Sequence, residues 1–196
     1  MFTISNNGKG IFKSKGSKFL SFTHHIKKID QYKSLVAFYR MEYTDSCHVC
    51  SAYRLLINSR VDEHASDDGE PKGSAGHPIL NELKRNDLVN SGTFVVRIFG
   101  GTLLGIPGLI DAYSNSALIS IDNAKVVLWK ELKRIQINYT YEYQTIIESL
   151  IKKYKVKVVN KNFSNEIHMD ISIEAELLDQ FNTDLKNASS GRIKSK

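Results

Sequence analysis

The sequence predicts an α+β fold in two units, and three observations carry that reading. Thr93–Phe99 is a long apolar, β-branched run, the signature of a strand buried on both faces. Leu109, Tyr113, Ala117 and Ile121 recur every fourth residue, as one stripe of a buried helix does. Beyond Lys125 the pattern changes to strict two-residue alternation, which marks half-buried strands. The change places a boundary within Val127–Lys130, giving a first domain over 1–128 and a second over 129–196.

In chain order, Gly10–Ile26 reads as two strands around a turn at Gly16. Phe12, Phe19, Leu20 and Phe22 alternate there with lysines. Rings that stack on bases beside cations that meet phosphates are what single-stranded nucleic acid needs, so Lys13, Lys15 and Lys18 are nucleic-acid candidates. The same phenylalanines also fit the inward face of a sheet. Asp30 is expected to cap a helix carrying Tyr32, Leu35, Val36, Tyr39 and Tyr43. Cys47–Asn58 reads as a strand. Its Cys47-x-x-Cys50 spacing invites a zinc or redox site, but a strand turns those side chains to opposite faces and no second pair exists. No metal or cofactor is assigned. His48 and Cys50 share a face.

Ser66–His77 is nearly free of apolar residues and holds Asp67, Asp68, Glu70, Lys72 and three glycines around Pro71. Such a stretch is a sharply shaped surface loop. Ser74 stands where an N-cap belongs, ahead of a helix running to about Arg85. Within the apolar strand that follows, Arg97 needs an anionic partner, because a buried guanidinium without one is poorly compensated. The acids of the 67–70 loop or a ligand phosphate would serve. Gly100–Gly108 then turns from strand to helix with Pro107 in the first turn. Exposed amides at such a turn attract anions. Neither the phosphate-loop nor the dinucleotide spacing is present, which disfavours nucleotide binding of those types.

In the second domain Ile135, Ile137, Tyr139 and Tyr141 alternate with Arg134, Gln136, Asn138 and Thr140. A helix with Ile146, Ile147, Leu150, Ile151 and Tyr154 follows. A strand around Val156–Val159, an alternating strand (Ile167, Met169, Ile171, Ile173) and a helix with Leu177, Leu178, Phe181 and Leu185 complete it. That order describes a small ferredoxin-like α/β sandwich with one solvated sheet face bearing Arg134, Gln136, Asn138 and His168. The face lacks the exposed aromatics of an RNA-recognition sheet.

Composition bounds the function classes. Hydrophobic content of 41% and charged content of 24% fit a soluble globular protein. No apolar run nears the roughly 20 residues that span a bilayer, and no secretory leader is expected at Met1–Asn6. Two cysteines point to a reducing cytoplasm with no disulfide partner. The net charge of +6 divides evenly: residues 1–128 hold 15 basic and 12 acidic side chains, residues 129–196 hold 12 and 9. A lysine-rich stretch from Lys9 to Lys33 and a basic tail from Lys186 to Lys196 could follow phosphates or simply stay solvated.

Three motifs add a family resemblance. Asp67-Asp68-Gly69-Glu70-Pro71, Gly73, Ala75-Gly76 and Pro78-Ile79-Leu80 resemble the signature of the YigZ/IMPACT family. Arg97–Gly105, Gly108-Leu109 and Ala112-Tyr113 are similar to its second signature, and His48 with Ala52-Tyr53-Arg54 to a third. The resemblance covers nearly the whole chain and is to the bacterial type. It implies an N-terminal domain like the second domain of a small-subunit ribosomal protein, then the ferredoxin-like unit. Elongation factor G pairs similar folds, an analogy of fold only. The resemblance also implies a link to translational control and stress response: eukaryotic relatives act through a protein that activates the amino-acid-starvation kinase, using an extra N-terminal domain that is not expected in this sequence. Leu104, Pro107 and Asp111 depart from the lysine, glycine and arginine common in relatives, which weakens any phosphate contact at this groove.

Two functions follow as expectations. One is a non-enzymatic, translation-associated regulatory protein that binds RNA or a ribosome-associated partner through a cleft. His48, Asp67, Asp68, Glu70, Lys72, Ser74, Arg97, Phe99, Gly100, Gly101 and Tyr113 are the candidates for that cleft. The alternative is metal-assisted hydrolysis, with His48 as base, Asp68 and Glu70 as orienters or ligands and Arg97 as an anion clamp. A third possibility gives the loop an architectural role, its acids capping helices and pairing with Arg97.

Overall fold

The computed structural model describes residues 1–44 and 48–195, and the chain divides into two compact units, Met1–Trp129 and Lys130–Lys196. In chain order the first holds β1 (Phe2–Asn6), β2 (Gly8–Ser14), β3 (Ser17–His25), α1 (Ile29–Glu42), β4 (His48–Ile57) and β5 (Arg60–Ser66). After these come α2 (Gly76–Arg85), β6 (Ser91–Ile98), α3 (Gly105–Asp122) and β7 (Lys125–Leu128). Five strands form one antiparallel sheet in the order β2-β3-β6-β4-β5, and β1 pairs with β7 apart from it.

Helix α1 covers one face of that sheet and α2 and α3 the other, so β6, the central strand, is buried on both sides. That accounts for its unbroken apolar run. Phe94 and Val96 pack with Tyr32 and Tyr39 of α1, while Val95 packs with Ile79 of α2 and Tyr113 of α3. Phe94 is fully buried, and trimming such a ring costs about 3–5 kcal/mol. The α3 stripe of Leu109, Tyr113, Ala117 and Ile121 faces this second core.

The β2–β3 hairpin turns at Lys15 and Gly16, both at positive φ (43° and 81°), with Ser14 opposite Ser17. Phe19 and Phe22 are buried and Phe12 half-buried, so the rings interleaved with the lysines belong to the core. Asp30 does not cap α1. Lys28 holds the extended N-cap position, and Asp30 lies inside the first turn, where its charge meets the positive helix end. Strands β1, β5 and β7 carried no sequence signal strong enough to predict them.

The second unit runs β8 (Leu132–Tyr139), α4 (Gln144–Lys153), β9 (Lys157–Phe163), β10 (Ile167–Glu174) and α5 (Leu178–Ala188), with a short 3₁₀ turn before each helix. Its antiparallel sheet has the order β8-β10-β9. On the free side of β8, Ser195 makes a single antiparallel bridge to Ile137 at the place of a fourth ferredoxin strand. Ile137, Tyr139, Ile167, Met169, Ile171 and Ile173 pack against Ile147, Leu150, Phe181 and Leu185. Arg134, Gln136, Asn138 and His168 stay exposed on the opposite face. Tyr141 is not part of the strand: it starts a 3₁₀ turn and is 51% exposed. Likewise β9 reaches Phe163, beyond the expected Val159, as an edge strand whose valines are largely solvated. No helix among the described residues is long and apolar enough to cross a membrane.

Candidate functional site

The site is built where the 67–77 loop crosses the end of β6. Asp68 takes a left-handed conformation (φ 47°) and Gly69 follows at φ 91°. This reversal aims the Asp68 carbonyl at His48, whose Nδ1 lies 2.6 Å from it. A carbonyl only accepts, so Nδ1 carries a proton, and in the tautomer with a single N–H Nε2 is the acceptor. A Cβ at Gly69 would come within 3.3 Å of that ring, so glycine also makes room for it.

The three acids of the loop take three different roles. Asp67 accepts from the amides of Gly73 (2.8 Å), Ala75 (3.0 Å) and Gly76 (2.8 Å). Burial alone would raise its pKa, but those three amides hold it below the ordinary carboxylate range. Asp68 pairs with Arg40 of α1 and accepts from Val49 N at 2.7 Å. Glu70 alone turns inward, where Oε1 accepts from Arg97 Nη1 at 2.6 Å and from the Tyr113 hydroxyl at 2.8 Å. Asp67 therefore does the work expected of Ser74. Ala75 occupies the N-cap of α2, and the Ser74 hydroxyl donates to Pro71 O (2.7 Å) inside the loop.

Arg97 is held between the rings of Phe19 and Phe99, 5.6 and 5.5 Å from their centroids, and its Nε is buried with no acceptor among the described residues. Beneath it, Cys50 Sγ lies 3.3 Å from Tyr113 Oη, and burial pushes both groups well above their usual pKa. The thiol is a packing group here rather than a nucleophile. Cys47 lies outside the described residues, as does Lys196 of the basic tail.

Above this floor opens a cavity of about 400 Å³ lined by His48, Glu70, Pro71, Arg97, Phe99, Leu103, Leu104, Gly105, Ile106 and Leu109. Of the candidates, the structure brings His48, Glu70, Arg97 and Phe99 together. Tyr113 is fully buried and orients Glu70 from below. Asp67, Asp68, Lys72 and Ser74 do not line the cavity, so the four-residue hydrolytic set is not assembled in one space. Among the described residues no group of three or more His, Cys, Asp or Glu could hold a metal ion.

Gly100 and Gly101 also lie outside the cavity lining. Gly100 seals the end of the β2–β3 hairpin, where a Cβ would sit 1.9 Å from the Gly16 carbonyl carbon. Lys13 and Lys18 pair across that hairpin on the face shared by Leu20 and Phe22, the α1 side, away from the cavity. Asp111 lies in the second turn of α3 rather than at its start, bonded to Asn115.

Residues 15–121, more than half of the chain, match the Impact N-terminal domain, and residues 141–192 match a domain of unknown function, DUF1949. The chain belongs to the IMPACT family. An IMPACT family member of Haemophilus influenzae is 28% identical over 91% of this chain and 87% of its own length. YigZ of Escherichia coli is 28% identical over 91% and 88%. The crystal structure of a hypothetical protein matches with a TM-score of 0.69 and 25% identity, covering 99% of this chain and 95% of the other.

Sequence reasoning on this IMPACT chain named His48, Glu70, Arg97 and Phe99 of this lining as candidates and did not name the aliphatic walls among them. Leu103, Leu104, Ile106 and Leu109 supply those walls. The available signal was an apolar cluster in a glycine-rich turn, where polar residues are the norm. Leu103 is 82% exposed, which no core role explains. Arg40, paired with Asp68, was missed because 28 residues separate the two.

Proposed function

We propose that this chain is a non-enzymatic, translation-associated protein whose first unit binds a protein of the translation apparatus through the cleft above Arg97. Membership of the IMPACT family fits a translation-associated role. RNA and a ribosome-associated protein are the two partner classes that the sequence suggests, and one observation favours protein. Arg97, the one lysine or arginine lining the cavity among the described residues, is already paired with Glu70.

Polyanion binding draws on uncompensated lysines and arginines that displace counterions. An Arg–Glu pair offers nearly no net charge, and aliphatic walls suit an apolar anchor side chain. RNA contact, if this chain makes it, belongs to Lys13, Lys15 and Lys18 rather than to the cleft.

Co-sedimentation with purified ribosomes tests the reading. Leu103→Asp places a charge on an exposed cleft wall and should weaken association about tenfold or more. The triple change Lys13→Gln, Lys15→Gln, Lys18→Gln should leave it within about twofold. The opposite pattern, or no association of the unaltered chain, would overturn the proposal.

A further inference from the structure

The cleft's floor has an unsatisfied hydrogen-bonding pattern that names the group it would take. Glu70 Oε1 accepts two hydrogen bonds, from Arg97 and Tyr113, while its second oxygen has no donor among the described residues. His48 is fixed through Nδ1, leaving Nε2 as an acceptor beside it. Arg97 Nε–H is buried with no acceptor among the described residues, an arrangement native proteins rarely leave unanswered. The three side chains line one space of about 400 Å³ together.

Resting on the reading of the cleft as a protein receptor, we infer that it recognises a neutral amide group, a peptide unit or side-chain carboxamide, delivered next to an aliphatic side chain. An amide brings N–H for His48 and Glu70 and C=O for Arg97. Charged groups match less well. An ammonium would be desolvated beside Arg97, and a carboxylate or phosphate beside Glu70. A nucleobase is neutral and carries both donors and acceptors, but binding one calls for a ring face to stack on. Of the two aromatic rings lining the cavity among the described residues, Phe99 already faces the Arg97 guanidinium at 5.5 Å and His48 is tied through Nδ1 to the loop. The remaining walls, Leu103, Leu104, Ile106 and Leu109, match a leucine- or isoleucine-like chain.

The test is a titration of the ¹⁵N-labelled full chain with N-acetyl-leucinamide, followed by backbone amides and Arg97 Nε–H. Leucinamide, N-acetyl-leucine, N-acetylglycinamide and uridine serve as comparisons that add a positive charge, add a negative charge, remove the side chain or present a base. Saturable shifts at Arg97 Nε–H, Gly105, Ile106 and Leu109 are expected for N-acetyl-leucinamide, with each comparison binding about tenfold more weakly. Leu103→Asp should remove those shifts and leave the rest of the spectrum in place. Equal or tighter binding of the ammonium, the acid or uridine, shifts centred outside the cavity, or no saturation would overturn the inference. If that happens while Leu103→Asp still abolishes ribosome association, the amide falls and the protein partner stands.

Discussion

Arg97 and Glu70 meet at 2.6 Å with side chains only 7% and 4% exposed, and this pair ties the centre of the sheet to the loop that leads into α2. Each charge alone would be a desolvated ion; together, with the Tyr113 hydroxyl, they form a nearly neutral floor.

Removing one partner strands the other. Arg97→Leu is expected to destabilise the first unit by about 3–5 kcal/mol, seen in calorimetry as a fall in Tm on the order of 10 °C. Arg97→Leu combined with Glu70→Leu should recover most of that loss, because no unpaired charge remains. A double variant as unstable as the single one would show that the pair's geometry, not charge compensation, holds the loop.

Asp67 gives a pH prediction. Three amides hold its carboxyl below the unfolded value near 3.9. Its stabilisation is therefore complete above that value and is lost as pH falls through the lower folded value. Asp67→Ala should cost about 2 kcal/mol at pH 7. In urea titrations it should also flatten the loss of stability as pH falls below about 4. An unchanged acid limb would remove Asp67 from the account.

Two adjacent glycines should respond unequally. A Cβ at Gly100 meets the Gly16 backbone at 1.9 Å, whereas at Gly101 (φ 85°) it meets nothing within 4 Å. Gly100→Ala should cost about 3 kcal/mol through forced backbone displacement, and Gly101→Ala about 1–2 kcal/mol through the left-handed conformation alone. Melting curves of the two variants check the order.

How legible the molecule was depends on the range of the interaction. Elements such as α3 and β10 follow from the spacing of apolar residues, and β6 follows from an unbroken apolar run. Strand β5 does not, because it is a polar edge strand whose partners all lie on β4. Asp67 was readable as part of a shaped loop, yet its capping of α2 required knowing that the loop folds back over nine residues. Arg97 demanded an anionic partner on sequence grounds alone, and Glu70 fills that place because desolvation leaves an arginine on β6 no alternative to pairing. Leu103 and Ile106 of the aliphatic walls escaped because periodicity reports buried faces, and these two side chains are 82% and 54% exposed.

The most direct test is the salt dependence of ribosome association. A cleft whose lining arginine is already paired with Glu70 predicts a dissociation constant that changes less than about threefold between 50 and 200 mM salt and that rises sharply in Leu103→Asp. A loss of about a thousandfold over that range, indifferent to Leu103→Asp, would mean that phosphates and not an apolar anchor are being bound, and would contradict the account.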